Sequence, residues 1–176
     1  MSILNKIIEN SSEINSGFKK HYLTLYAIVG GMEAKRVLEI GGGLSTPVIL
    51  QALKNTGGEL ITCDPRDLKG LGLEESIKSE NPNWTHMMDL SGNVLDKISG
   101  TFDFVLHDGS HEGKVLFKDL RKILPMIKKG GVLLVHDTNH PKLKNLYRAT
   151  CLALLGFRHS KITLPYGHGL TIVIKK

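Results

Sequence analysis

Three consecutive glycines, Gly41-Gly42-Gly43, lie between an apolar pentapeptide, Arg36 to Ile40 (RVLEI), and a helical stretch from Thr46 to Asn55. This order constrains the fold more than any other feature of the chain. A short apolar run ended by glycine reads as a buried strand. The stretch after it reads as a helix, with Ser45 as its N-cap and Pro47 tolerated in its first turn. A strand that passes through glycines into a helix turns tightly and brings bare backbone against a ligand. The N–H groups that open the helix suit a carboxylate or a phosphate. Asp64 follows the next apolar run, Glu59 to Cys63, about twenty residues on, where a carboxylate typically accepts ribose hydroxyls. An adenosine-type cofactor is therefore expected. A dinucleotide fingerprint would need glycine at position 46, which holds Thr46, and this counts against NAD.

The rest of the chain continues the alternation of short strands and longer helices. Ile3 to Ile14 and Lys20 to Val29 read as N-terminal helices, and Leu71 to Ser79 as another. Trp84 to Met88, Phe102 to His107 and Val132 to Val135 read as strands. Lys114 to Lys129 reads as a helix with Val115, Leu116, Leu120, Ile123, Leu124 and Ile127 on one face, stopped by Gly130-Gly131. Leu143 to Leu155 reads as a helix ended by Gly156. Ser160 to Leu164 and Leu170 to Ile174 flank a loop too short for anything but an antiparallel hairpin. The expectation is one α/β domain over residues 1–176: N-terminal helices over 1–34 and a Rossmann-like, doubly wound core over 36–176. Its seven-stranded sheet is mainly parallel and ends in the antiparallel hairpin.

Two polar clusters follow the apolar strands on the far side. Asp108-Gly109-Ser110-His111 leaves one strand, and His136-Asp137-Thr138 leaves the next. Ligands of open parallel sheets sit at the carboxyl ends of the strands, so both clusters should share a cleft with the glycine loop. A neutral imidazole at His111 is a suitable base near pH 7. His168, in the hairpin loop, and His136 are alternatives, while His86, His107, His140 and His159 read as structural or surface residues.

Val37 to Thr46 resembles motif I of class I S-adenosylmethionine-dependent methyltransferases, in its E-x-G-x-G-x-S form, and is especially similar to small-molecule O-methyltransferases. The resemblance implies that Glu39, Gly41, Gly42, Gly43 and Ser45 belong to the site of the cofactor's methionine part. It also implies that Asp64 holds the ribose and that Asp89 lies near the adenine. The D-G-x-H pattern at Asp108, followed by G-G-[VI]-hydrophobic-H-D, resembles the methyltransferases that include macrolide-sugar O-methyltransferases and cephalosporin-hydroxylase-like proteins, over about Arg36 to Thr138. It implies S-adenosylmethionine as cofactor, Asp108 touching cofactor and reaction centre, His111 as base, and a divalent cation held by Asp108, His136 and Asp137. His136 stands where those relatives often carry an acid. Two carboxylates suit Mg²⁺, whereas an imidazole suits Mn²⁺, Fe²⁺ or Zn²⁺.

Composition narrows the rest. The chain has 176 residues, two cysteines and a net charge of +6. The cysteines, Cys63 and Cys151, are isolated, with no C-x-x-C spacing, so reduced, packed thiols are expected rather than a disulfide framework or a cysteine-ligated zinc. No signal-peptide layout or apolar span is evident, so a cytoplasmic protein with no membrane association is expected. The densest basic cluster, Lys118, Arg121, Lys122, Lys128 and Lys129, reads as the solvated face and C-terminal end of one helix. No basic-aromatic motif accompanies it, which counts against a nucleic-acid partner. The expected acceptor is a hydroxyl of a small molecule or sugar, its pocket either completed by a second subunit in a homodimer or left open to solvent around a large acceptor. The rival readings are a nucleic-acid or protein N-methyltransferase and a non-catalytic S-adenosylmethionine-binding protein.

Overall fold

In a strand buried on both faces, successive side chains enter two different cores. β1 (Arg36–Ile40) does this: Val37 packs with one apolar cluster and Leu38 with the other. The computed structural model describes residues 17–68 and 83–176. The expected helices over 3–14 and 71–79 lie outside them. A 3₁₀ turn (Gly17–His21) leads into α1 (Tyr22–Gly31). After β1 come α2 (Ser45–Leu53), β2 (Glu59–Cys63), β3 (Trp84–Met87) and α3 (Ser91–Lys97). Then follow β4 (Phe102–His107), α4 (Gly113–Met126), β5 (Ile127–His136), α5 (Asn145–Ala153), β6 (His159–Leu164) and β7 (Leu170–Lys175).

The strand order is β3-β2-β1-β4-β5-β7-β6, seven strands in one sheet. β1 to β5 run parallel, and β7 is inserted antiparallel between β5 and β6. This is the expected doubly wound sheet with its terminal hairpin. Leu25, Ile49, Phe104 and Leu134 form the core under α1 and α2. Val105, Leu116, Ile123, Leu133 and Leu146 form the core under α4 and α5. The strand order reverses between β1 and β4, and in such sheets the crevice opens at that switch. Two backbone bonds tie the strand ends there: Gly41 N–H donates to the Cys63 carbonyl, and Asp108 N–H to the Ile40 carbonyl, each at 2.8 Å. No helix among the described residues is long and apolar enough to cross a membrane.

Two local expectations are corrected. The helix expected to run to Lys129 ends at Met126, and β5 begins at Ile127 and passes through Gly130-Gly131. Pro125 in the last turn has no N–H to donate and disfavours further helix around it. The glycines instead lie in an irregular stretch of β5, where pairing jumps from Phe102↔Ile127 to Phe104↔Val132 and Gly130 takes φ +77°. Lys128 and Lys129 are consequently strand residues, not the end of a helix. Ser45 is not an N-cap. Leu44 holds that position without a side-chain cap, and the Ser45 hydroxyl donates elsewhere. The short helix α3 is an addition that the sequence does not announce, because Ser91, Gly92 and Asn93 carry turn chemistry and only Val94 and Leu95 are buried.

Candidate active site

A buried carboxylate lies beneath the glycine loop. Glu39 is fully buried at the end of β1. Its carboxylate accepts from the hydroxyls of Ser45 (2.5 Å), Thr46 (2.7 Å) and Thr62 (2.8 Å). Two of these hydroxyls accept in turn, Thr46 from the Gly43 N–H and Thr62 from the Trp84 indole N–H. The bonds all run toward Glu39, which therefore holds the loop from inside. Burial pushes its carboxyl up to about 7, against the pull of the three hydroxyl donors. A carboxyl harder to ionise in the fold than in the unfolded chain keeps its proton to higher pH when folded. Its contribution to stability is complete below the ordinary range near 4.5 and falls as pH rises to about 7. Urea titrations should show stability relative to Glu39→Gln declining across that window, by up to about 1.4 kcal/mol per pH unit. A flat difference would show that Glu39 is ionised throughout.

The three glycines do different work. Gly41 has φ +90°, and a side chain there would overlap the Asp108 carbonyl. A Cβ on Gly42 would lie 2.7 Å from Thr62 and 2.8 Å from Leu68. A Cβ on Gly43 would meet nothing within 4 Å. A cleft of about 900 Å³ opens beside the loop, lined by Gly41, Asp64, Arg66, Ser91, Asp108 and His111 among others. Asp64 is buried there and pairs with Arg66, whose Nε donates to Oδ1 at 2.9 Å and Nη2 to Oδ2 at 2.7 Å. Arg66 Nη2 also donates to the Gly42 carbonyl, 2.8 Å away. Burial would raise the Asp64 carboxyl, but the bonds and charge of Arg66 outweigh it and hold it below its usual value. Asp89 sits at the start of α3, its carboxylate turned to Asn93 (2.8 Å) and Lys97 (3.0 Å). Those bonds, Asn93 foremost, lower it to about 2. The residues after it, Leu90 to Asn93, line the cleft.

Consecutive residues of an extended strand point to opposite faces. His136 and Asp137 nevertheless join one cluster, because Asp137 takes the left-handed conformation at φ +58°. His136 Nδ1 donates to Asp108 Oδ1 at 2.8 Å and Nε2 to the Gly167 carbonyl at 2.9 Å. Two acceptors facing the two ring nitrogens favour the doubly protonated ring. Burial alone would lower its pKa; Asp108, then Asp137 and the Gly167 carbonyl, raise it on balance. His111 Nε2, on an exposed ring, lies 2.9 Å from Asp137 Oδ2. Asp137 Oδ1 lies 3.3 Å from His136 Nδ1 and 3.5 Å from His168 Nδ1, yet it is buried without a hydrogen-bond partner among the described residues. One ligand atom each from Asp108, His136 and Asp137 falls within 4.8 Å of the others, and the same holds for Asp137, His140 and His168.

A family profile described as a methyltransferase domain matches residues 38–138. The chain belongs to that methyltransferase family. The matched domain holds Glu39, the glycine loop, Asp64, Asp89, Asp108, His111, His136 and Asp137. Methyltransferases of solved structure share its fold. A putative caffeoyl-CoA O-methyltransferase from Staphylococcus aureus superimposes with a TM-score of 0.77 at 13% identity, over 100% of this chain and 93% of that one. A Podospora anserina methyltransferase bound to SAH gives 0.73 at 15% identity, over 98% and 87%. A Bacillus cereus O-methyltransferase in complex with SAH gives 0.71 at 16% identity, over 98% and 90%. No curated protein matches the sequence.

Sequence reasoning passed over three residues at this methyltransferase site. His140, which reads as a structural or surface residue, has its ring 4.3 Å from that of His168. His21 is buried, with its ring 5.7 Å from that of His136. Burial first, and then repulsion by His136, lower its pKa. Arg66 occupies Asp64. Only the Asp-Pro-Arg run after β2 hinted at Arg66, and no sequence signal pointed to His21.

Proposed function

We propose that this methyltransferase transfers a methyl group from S-adenosylmethionine to a hydroxyl oxygen of a small molecule. One observation carries the reading: His111, whose Nε2 lies 2.9 Å from Asp137, lines the same cleft as Gly41 of the glycine loop and the buried carboxylate Asp64. The cleft has the volume of a cofactor site. The SAH bound to two neighbours of the same fold, the demethylated form of that cofactor, is in keeping with it. S-adenosylmethionine supplies an electrophilic methyl carbon, whose bond to sulfur breaks, with the electron pair left on sulfur, as the acceptor oxygen bonds to it.

Each residue then has a task. Glu39 and Ser45 hold the glycine loop from below, and Gly43 leaves open space above it. Asp64 accepts the ribose hydroxyls after the Arg66 guanidinium, exposed on its other side, moves off the carboxylate. Asp89 fixes the start of α3, whose first residues border the cleft. With Nε2 against Asp137, His111 keeps its ring proton there, and Nδ1 takes the proton of the acceptor hydroxyl. Positioning supplies much of the acceleration of such a displacement.

The cluster also fits a divalent cation, because Asp137 Oδ1 is a buried carboxylate oxygen with no hydrogen-bond partner among the described residues. Asp108, Asp137 and the Nδ1 of His136, once that nitrogen gives up its proton, would hold it. Mixed oxygen and nitrogen donors suit Mn²⁺ at least as well as Mg²⁺. A cation there supplies Lewis acidity that makes a nearby hydroxyl easier to deprotonate.

The test is calorimetry with S-adenosylmethionine and its demethylated product. Both should bind the native protein, and Asp64→Ala should weaken both by about 10- to 150-fold, the worth of bonds to a charged acceptor. Unchanged affinity in a folded Asp64→Ala protein would sink the ribose assignment. No binding to the native protein would sink the reading as a whole.

A further inference from the structure

A second groove, of about 840 Å³, runs between α4 and α5 and meets the cofactor cleft at His111, Glu112, Phe117 and Lys118. Its walls carry Lys114, Lys118, Lys142, Lys144 and Arg148 against a single acid, Glu112. None of these five cationic groups has an ion pair or side-chain hydrogen bond among the described residues. Four cations outside the groove are, by contrast, matched: Lys97 with Asp89, Lys128 with Asp103, Arg36 with Glu59 and Lys122 with Asp96. Five like charges around one concavity repel one another, and an anion bound between them relieves that repulsion. The groove also exposes Phe117 and Leu152, so its surface is partly apolar. Resting on the methyl-transfer reading above, we propose that this groove is the acceptor subsite and takes an anionic aromatic compound. The anion, phosphate or carboxylate, lies among the basic residues, the ring packs on Phe117 and Leu152, and the ring's hydroxyl reaches His111. The shared mouth at His111 makes one molecule able to occupy both places.

Phenyl phosphate and benzoate are the probes, titrated by calorimetry into the native protein and into a Lys144→Glu/Arg148→Glu variant. Lys144 and Arg148 line the groove and not the cofactor cleft. S-adenosylmethionine is titrated into the same samples. The expected result is saturable binding of at least one probe, weakened at least tenfold by the double charge reversal, with cofactor affinity unchanged. The stronger probe identifies the anion. If neither probe binds, or the reversal leaves probe binding intact, the acceptor subsite is overturned while the methyltransferase reading stands on its cofactor titration. Absence of cofactor binding reports failure of that underlying reading instead. A single-stranded RNA oligonucleotide that binds through Lys144 and Arg148, where phenyl phosphate does not, would also overturn it in favour of a polyanion.

Discussion

Replacing Asp137 with asparagine is expected to cut turnover by about 10²- to 10⁴-fold, the usual cost of losing general-base assistance, while the protein stays folded. One carboxylate here serves three neighbours. Oδ2 faces His111, and Oδ1 lies between His136 and His168. Asparagine keeps the shape and tolerates the left-handed backbone at φ +58°, but it removes the charge that fixes the His111 proton on Nε2. It also removes a carboxylate oxygen from the proposed cation site. The fold should lose little, because Oδ1 makes no hydrogen bond among the described residues and a second acid, Asp108, stands close by. A melting temperature within about 3 °C of the native value is expected, corresponding to roughly 1 kcal/mol in a protein of this size. Turnover is read as demethylated cofactor formed with a responsive acceptor. In the native protein a chelator should abolish it and Mn²⁺ or Mg²⁺ should restore it, whereas Asp137→Asn should not respond to metal. Full activity of the chelated native protein would remove the cation and leave the His111–Asp137 pair to act alone. Full activity of Asp137→Asn would remove both.

The largest effect on stability is expected at Gly41. Gly41→Ala should destabilise the protein by about 4 kcal/mol or more, in the range reserved for backbone strain combined with steric overlap. The added Cβ would collide with the Asp108 carbonyl and lie 2.8 Å from the Gly109 nitrogen. Both are backbone atoms at the end of β4, so no side chain can rotate out of the way, and φ +90° is unfavourable for alanine in any case. Gly43→Ala, two residues on, should change stability by less than about 1 kcal/mol, since nothing lies within 4 Å of its Cβ. Urea unfolding of the two variants measures the contrast. Equal losses would mean that the loop, rather than its contact with β4, sets the demand for glycine.

The sheet was legible because its strands are short, apolar and separated by turn residues, and because a five-residue loop between β6 and β7 leaves only a hairpin. The convergence of Asp108, His111, His136 and Asp137 followed from the rule that parallel strands deliver their carboxyl ends to one side. What the sequence hid were features decided by tertiary contact. β5 begins before its glycines because Ile127 pairs with Phe102, a contact distant in sequence. The short helix α3 has too few apolar positions to show a period. Ser45 looks like a cap until Glu39, six residues earlier, claims its hydroxyl. The basic groove draws its cations from α4, from α5 and from the loop before α5, so no single stretch of sequence displays it.

Trp84 is the chain's single tryptophan. Its indole N–H donates to the Thr62 hydroxyl, which donates to Glu39, and Glu39 in turn holds the glycine loop. The ring is almost wholly buried, so its emission is not dominated by bulk water. The fold thus contains one built-in fluorophore, wired by two hydrogen bonds to the carboxylate beneath the cofactor cleft. Intrinsic fluorescence becomes a label-free gauge of that cleft: occupancy of the loop, or a proton arriving on Glu39, alters the field at the indole without any dye or engineered probe.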